Sequence, residues 1–436
     1  MLERHKNIFL IGAGGIGMSG LGRILQQRGK SVSGADASES VITRDLTRAG
    51  IGVFIGHNES NIFPAVDLVI YSQAVPADNP ERLRAKNMGI RELSYPEALG
   101  EILKGYFVIA VAGTNGKTTT TGMLASIMET AGLDPTVLLG SKMKQWDSNA
   151  RVGESKYFLL EADEYRRGFL NYRSDIAVIT NISADHLDYY KDENDVKRAF
   201  AEFIANIKQG GRLVYNTTDK NSRDAAGKFL SSGAPAARGF TPGKNKFKLR
   251  VPGEHNEANA AAAAEAAKIL SVKAVNIARG LEKFRGTWRR FERVGRIGGA
   301  DIISDYAHHP DGVRVLLQSA SKMYKRPLFV YQPHQHNRTK SLFREFCREF
   351  CAGAVSDILF VEIFDVAGRE RGRDQDISSR DLVNEISKCK PNVSYAKDLK
   401  EAERAVRSVA KNHDAVFVVG AGDIYLMAER LGKNED

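Results

Sequence analysis

Three segments of this chain begin with a short apolar run that empties into a glycine-rich turn: NIFLIGAGGIGMSG from residue 7, YFVIAVAGTNGKTT from residue 106, and GADIISDYAHHP from residue 299. Further apolar runs of strand length, DLVIYS, KYFLLEAD, DIAVITNI, PLFVYQPH, DILFVEIF and DAVFVVGAGD, alternate with helix-like stretches. Strand, turn and helix in repetition bury both faces of a sheet when the strands run parallel under the helices. The alternation therefore predicts an α/β protein of parallel sheets. Ligands of such sheets sit beyond the carboxyl ends of the strands, so the polar residues directly after each run are the candidates for chemistry.

At 436 residues the chain exceeds one ordinary domain and suits two to four. No apolar run reaches the roughly 18 residues of a membrane span. The start, MLERHKNIFLIG, lacks the apolar stretch of a signal peptide, so a cytoplasmic protein without membrane contact is expected. The formal charge of +10 suits nucleic acid, an anionic membrane or small anionic substrates. Its basic residues are scattered, and the one dense stretch, GTWRRFERVGR, has no nucleic-acid module around it, which favours polyphosphate ligands over nucleic acid. Cys347, Cys351 and Cys389 include no CxxC pair and are read as buried thiols without function. The alanine-rich EHNEANAAAAAEAAKIL reads as a helix rather than a linker, because Glu265 and Lys268 fall within or just after the run.

Gly12, Gly14 and Gly17 satisfy GxGxxG after a strand, and Asp36 closes the next strand where an acidic group meets a ribose hydroxyl. Taken alone the pattern reads as NAD binding, although any nucleoside diphosphate offers the same pyrophosphate to a helix N-terminus. The second loop, VAGTNGKTTTT, departs from the usual phosphate-loop pattern because Val111 stands where its first glycine belongs. It retains what phosphate binding needs: Gly113 and Gly116 free the turn, Lys117 reaches phosphate oxygens, and the Thr118 hydroxyl can hold Mg²⁺. Two later strand ends supply metal-type donors. One delivers Glu161 with Asp163 and Glu164; the other delivers Asp185, His186 and Asp188.

In order along the chain, GTNGKTTTT, EADE, TNISADHLDYY, GEHNEANAAAA, RRFERVG, SDYAHHP and QPHQHNRT resemble the Mur ligase family, over about residues 7 to 424. The resemblance implies three domains: an N-terminal Rossmann-like domain for a UDP-sugar (1–104), a central P-loop ATPase-like domain (105–294), and a C-terminal Rossmann-like domain closing over ATP and amino acid (295–436). It further implies an ATP-dependent, amide-forming reaction of peptidoglycan precursor synthesis. The carboxylate of UDP-N-acetylmuramate attacks the γ-phosphate, and L-alanine then attacks the resulting acyl phosphate. ATP is the co-substrate, Mg²⁺ the cofactor, and the protein a monomer or weak homodimer.

In that light Gly12, Gly14, Gly15, Gly17, Asp36 and Ser72 bind the UDP-sugar, and NAD recedes. ATP falls to Gly113, Thr114, Asn115, Gly116, Lys117, Thr118 and Thr119, with Asn256, Arg290 and Asp305. Thr118, Glu161 and His186 match the metal positions, and His308 and Arg338 match positions near the amino acid. Lys117, Glu161, His186, Arg290 and His308 form the expected catalytic set. His309 is expected merely to pack before Pro310. The chain departs from the alanine-adding pattern at Asn115, where histidine is usual, and at Gln335, where arginine is usual. Phe200 occupies the position nearest to the lysine that sibling ligases carbamylate. EADEYRRGF also echoes a sibling that attaches an intact tripeptide to the same sugar, which is the alternative reading.

Overall fold

The computed structural model describes residues 4–186, 189–231, 236–244, 246–365 and 376–433. Among them the chain forms three sheets and divides into two compact units, Met1–Thr287 and Trp288–Asp436.

The first unit holds two sheets. One has five parallel strands in the spatial order Gly52–Ile55, Ser31–Asp36, Asn7–Ile11, Leu68–Tyr71, Arg91–Ser94. The strand order reverses between Asn7–Ile11 and Leu68–Tyr71, so a crevice opens beyond their carboxyl ends, at Gly12 and Ser72.

The second sheet has seven strands, with the phosphate-loop strand Phe107–Ala112 between Tyr157–Glu161 and Ile176–Ile179. Val108, Ala110 and Ala112 face one apolar core while Ile109 and Val111 face another. Burial on both faces is why this strand reads as an unbroken apolar run rather than an alternation. Truncating fully buried Ile109 to alanine would cost about 2–5 kcal/mol. A hairpin, Thr136–Met143 with Ser148–Arg151, edges this sheet and docks on the first sheet's leading helix, Ile16–Gln27. Asn149 of the hairpin donates to the Ile16 carbonyl and to Ser19 Oγ. The alanine-rich stretch is the helix Glu254–Ile269, whose small side chains pack closely into the core beside the phosphate-loop helix Lys117–Thr130.

The second unit carries six strands in the order Glu292–Ile297, Ala300–Asp305, Ala415–Val419, Pro327–Tyr331, Asp357–Val361, Asn392–Ala396; the first pair is antiparallel and the rest parallel. Cys351, on the helix Phe343–Ala352, forms a disulfide with Cys389, with Cα atoms 5.7 Å apart. This corrects the reading of all three cysteines as thiols, since Cys347 alone is a free buried one. The partners lie 38 residues apart, and nothing in that spacing shows which helix ends meet.

Candidate functional site

The first glycine turn leads into the helix Ile16–Gln27, whose N-cap, Gly15, offers no side chain to its first-turn amides. Gly12 has φ of +82°, and a Cβ there would come 2.9 Å from the Cβ of Ser72, so the glycine turn and the end of the strand Leu68–Tyr71 press together. The Asp36 carboxylate turns into the loop and accepts the Gly14 N–H at 2.8 Å. Gly17 lies against the ring of Tyr95, a residue the sequence does not single out. Burial, with the charges of Asp163 and Glu161, pushes the Tyr95 phenol up, which marks it as a neighbour of the second loop's acids.

The second loop runs from Gly113 into the helix Lys117–Thr130, with Gly116 as a left-handed N-cap at φ +85°. Its backbone is fastened to the next strand's exit. Asn181 Oδ1 accepts the Asn115 N–H at 3.0 Å, Thr180 donates to the Asn115 carbonyl at 2.6 Å, and Thr114 exchanges hydrogen bonds with Ser183 at 3.1 and 2.9 Å. The backbone of residue 115 supplies the first two of these bonds and the Thr114 hydroxyl the other two, so none of them asks anything of the residue 115 side chain. Lys117 Nζ donates to the Gly113 carbonyl at 2.7 Å and to both oxygens of buried Glu164 at 2.9 and 2.8 Å. Burial works against the ammonium, but Glu164, Asp163 and Glu161 hold its pKa above the ordinary lysine range. Burial likewise raises the Glu164 carboxyl, against the pull of Lys117.

Beside the lysine, Thr118 Oγ1 donates to Glu161 Oε2 at 2.8 Å, and the Gly140 N–H donates to the same oxygen at 2.8 Å. The structure thus brings Thr118 and Glu161 together. His186 groups with Asp163 and Glu164, one ligand atom from each lying within 4.8 Å of the others, and Glu161 stands outside that group. The ring of Tyr165 lies 5.0 Å from that of His186. Asp188 lies outside the described residues. Buried Asn256 donates to the Pro252 carbonyl at 2.6 Å and accepts from Asn259, which in turn accepts from Thr120 on the phosphate-loop helix. Thr119 sits half-buried on that helix's first turn.

In the second unit, Asp305 ends its strand and accepts the Phe291 and Ala307 N–H groups at 2.7 and 2.8 Å. Arg289 is buried and donates to the carbonyls of Gly420 and Gly422. Arg290 is half-buried, its guanidinium 5.2 Å from the Tyr306 ring centre. Of the two adjacent arginines, then, the first serves the fold. His308 Nδ1 bonds the Tyr306 carbonyl at 3.0 Å, and its ring is 5.9 Å from that of His334. Arg338 donates to His334 Nδ1 at 3.3 Å. His334, which the sequence reading passes over, thus links His308 to Arg338. Gln335 takes φ +72° before the short helix His336–Ser341. His309 is the N-cap of the helix Pro310–Met323, its Nδ1 accepting the Asp311 N–H at 3.5 Å, so its side chain caps the helix rather than merely packing.

A phosphate loop with a lysine, a hydroxyl and a carboxylate at the ends of adjacent parallel strands, next to a second glycine turn, defines a nucleotide-using α/β enzyme. Three family models match in order: the Mur ligase family catalytic domain over residues 7–107, the Mur ligase middle domain over 111–240, and the Mur ligase glutamate ligase domain over 289–422. The chain belongs to the Mur ligase family. It is 37% identical over 458 residues to a UDP-N-acetylmuramate–L-alanine ligase of Alkaliphilus metalliredigens, covering 99% of this chain and 98% of the relative. A protein of the same description from Clostridium kluyveri is 38% identical over 451 residues, covering 98% of each. The crystal structure of the UDP-N-acetylmuramate–alanine ligase of Thermotoga maritima superposes with a TM-score of 0.82 at 27% identity, over 98% of both chains. A murein peptide ligase from Psychrobacter arcticus shares the fold, with a TM-score of 0.72 at 22% identity over 98% of both chains.

Proposed function

We propose that this protein joins L-alanine to the carboxylate of UDP-N-acetylmuramate with ATP, through an acyl phosphate, as a step of peptidoglycan precursor synthesis. The observation that carries the reading is the identity of 37–38%, over almost the whole chain, to proteins described as UDP-N-acetylmuramate–L-alanine ligases. The tripeptide-attaching alternative is not favoured, because the murein peptide ligase of Psychrobacter arcticus, at 22% identity, shares only the fold.

Mur ligases are ATP-dependent, and the first step sets two anions against each other, so cations must neutralise them. Lys117 is such a cation, held protonated by its carboxylate neighbours. Phosphate oxygens would compete with Glu164 for its ammonium. The Thr118 hydroxyl and the Glu161 carboxylate are hard oxygen donors, already 2.8 Å apart, that suit Mg²⁺. His186, with Asp163 and Glu164, is the candidate for a second ion. Bound there, Mg²⁺ would supply positive charge to phosphate oxygens. Arg290 would pair with ATP phosphate, Asp305 with the ATP ribose, and Asn256 would line the nucleotide site. Arg338 offers a forked pair of donors to the carboxylate of alanine. The Tyr306 carbonyl only accepts, so it takes the Nδ1 proton of His308 and orients the ring, and His308 would lie beside the amine of alanine.

The first glycine turn, with Asp36 and Ser72, would hold the UDP end of the sugar nucleotide. We place UDP-sugar binding in residues 1–104, ATP in 105–294 and amino-acid binding in 295–436, in a cytoplasmic monomer or weak homodimer. No helix among the described residues is long and apolar enough to cross a membrane. The test is phosphate release with ATP, UDP-N-acetylmuramate and L-alanine, each omitted in turn, with free tripeptide assayed beside L-alanine. Release that needs all three and prefers L-alanine is expected. Preference for the tripeptide would replace this reading with the alternative, and release without the sugar nucleotide would remove both.

A further inference from the structure

Directly after Asp163 and Glu164, both Arg166 and Arg167 hold left-handed backbone, with φ of +48° and +57°. Two successive non-glycine residues in that region are strained, a condition that persists where the surroundings impose it and that gathers at functional sites. Their guanidinium groups go to different parts of the first unit. Arg167 reaches the helix Glu193–Ala205, where Asp195 and Glu202 take it at 2.9 and 2.8 Å. That arginine is neutralised, and it anchors the segment. Arg166 instead reaches the first sheet, where its Nη1 donates to the Gln73 carbonyl at 2.7 Å. It is exposed, and among the described residues it has no carboxylate partner. The Tyr165 ring, 5.6 Å from its guanidinium carbon, flanks it.

The placement joins the two nucleotide loops. Gln73 follows Ser72, which presses against Gly12 at the switch point of the first sheet. Two residues before Arg166, Glu164 holds Lys117 of the phosphate loop. An unneutralised guanidinium therefore stands between the turn assigned to the UDP-sugar and the loop assigned to ATP. A substrate whose diphosphate sits at the first and whose carboxylate reacts at the second has to pass this point.

We infer that Arg166 is a binding residue for UDP-N-acetylmuramate, its guanidinium pairing with an anionic oxygen of that substrate between the two loops. The inference rests on the proposed function above. One donor is spent on Gln73, and the rest of the fork is of the kind that grips carboxylate or phosphate oxygens. Arg167, one residue on, serves as the internal control: it has the same chemistry and the same strain, but its charge is used within the protein.

The test measures Michaelis constants of the full-length chain for all three substrates in Arg166→Ala, Arg166→Gly and Arg166→Lys. Arg166→Gly removes the cation while relieving the left-handed strain, so its fold is preserved and checked by circular dichroism. The constant for UDP-N-acetylmuramate should rise about tenfold or more in the alanine and glycine variants and less in the lysine variant, the scale of a lost charge-assisted pair. Those for ATP and L-alanine should stay within about twofold, inside the loss of one weak contact. Competitive inhibition by UDP-N-acetylglucosamine, which lacks the lactyl carboxylate, separates the two sources of charge. An equal loss of its binding assigns Arg166 to the diphosphate, and an unchanged inhibition constant assigns it to the carboxylate. A folded Arg166→Gly protein with an unaltered constant for UDP-N-acetylmuramate, or an equal rise for ATP, overturns the inference. Wild-type protein that does not turn over the three substrates would remove the proposed function itself, a result distinct from either.

Discussion

The two glycine-rich loops of the first unit follow buried parallel strands and lead into helices without side-chain N-caps, yet they are finished in opposite ways. Into the first, Asp36 turns a carboxylate that accepts the Gly14 N–H. Into the second, Lys117 brings an ammonium surrounded by Glu164, Asp163 and Glu161, while Thr180 and Asn181 fasten the backbone and Ser183 holds the Thr114 hydroxyl. A carboxylate beside a diphosphate cradle repels part of its ligand and so suits the hydroxyl end of a nucleoside, whereas a clamped loop with a buried ammonium suits an oxygen whose charge changes during reaction. On the proposed function, similar strand–turn–helix geometry would serve retention in one place and chemistry in the other.

Breaking the second loop should therefore cost most. Lys117→Ala should lower phosphate release about 10³-fold, the scale on which a fixed transition-state donor acts. Activity within about tenfold of wild type would take the loop out of the chemistry. In the second unit, Arg338→Ala should raise the apparent constant for L-alanine about tenfold, the loss of about 1.4 kcal/mol or more from a charge-assisted hydrogen bond, with the UDP-sugar constant unchanged. An unchanged alanine constant would leave its carboxylate to some other cation. Asp36→Ala should weaken UDP-sugar binding several-fold, on the order of 1 kcal/mol for a neutral-partner hydrogen bond, and leave ATP alone. Equal shifts for both nucleotides would erase the division between the loops. Least of all, Asn181→Ala, which removes the side-chain bonds to the Asn115 backbone, should destabilise the first unit by about 1 kcal/mol in a denaturant titration. A loss of more than about 3 kcal/mol would mean the residue does more than clamp the loop.

Much of this architecture is legible in the sequence because the candidate site residues sit at or shortly after strand ends, and strand ends are marked by where apolar runs stop. Glu161 and Asp305 close such runs, and His186 lies a few residues beyond the strand Ile176–Ile179. What the sequence leaves hidden comes from contacts made across the fold. Tyr95 reaches Gly17 from a different strand–helix connection, Asn259 reaches Thr120 from a helix about 140 residues away, and His334 joins His308 to Arg338 within the second unit. The roles of Arg289 and Arg290 divide only once burial shows the first bonded to Gly420 and Gly422. The docking hairpin is hidden for a local reason: TVLLGSKM, buried at nearly every position, carries no clean period-two alternation. The disulfide between Cys351 and Cys389 likewise depends on two helix ends meeting in space.

The central claim is that the carboxylate of the sugar nucleotide is activated by taking a phosphoryl group before the amine arrives. UDP-N-acetylmuramate labelled with ¹⁸O in its carboxylate, incubated with ATP, L-alanine and the enzyme, tests this directly by mass spectrometry of the inorganic phosphate released. The carboxylate oxygen that attacks the γ-phosphate leaves with it, so one labelled oxygen in each released phosphate is predicted. Unlabelled phosphate, with one ¹⁸O kept in the amide and the other lost to water, would contradict the acyl phosphate route.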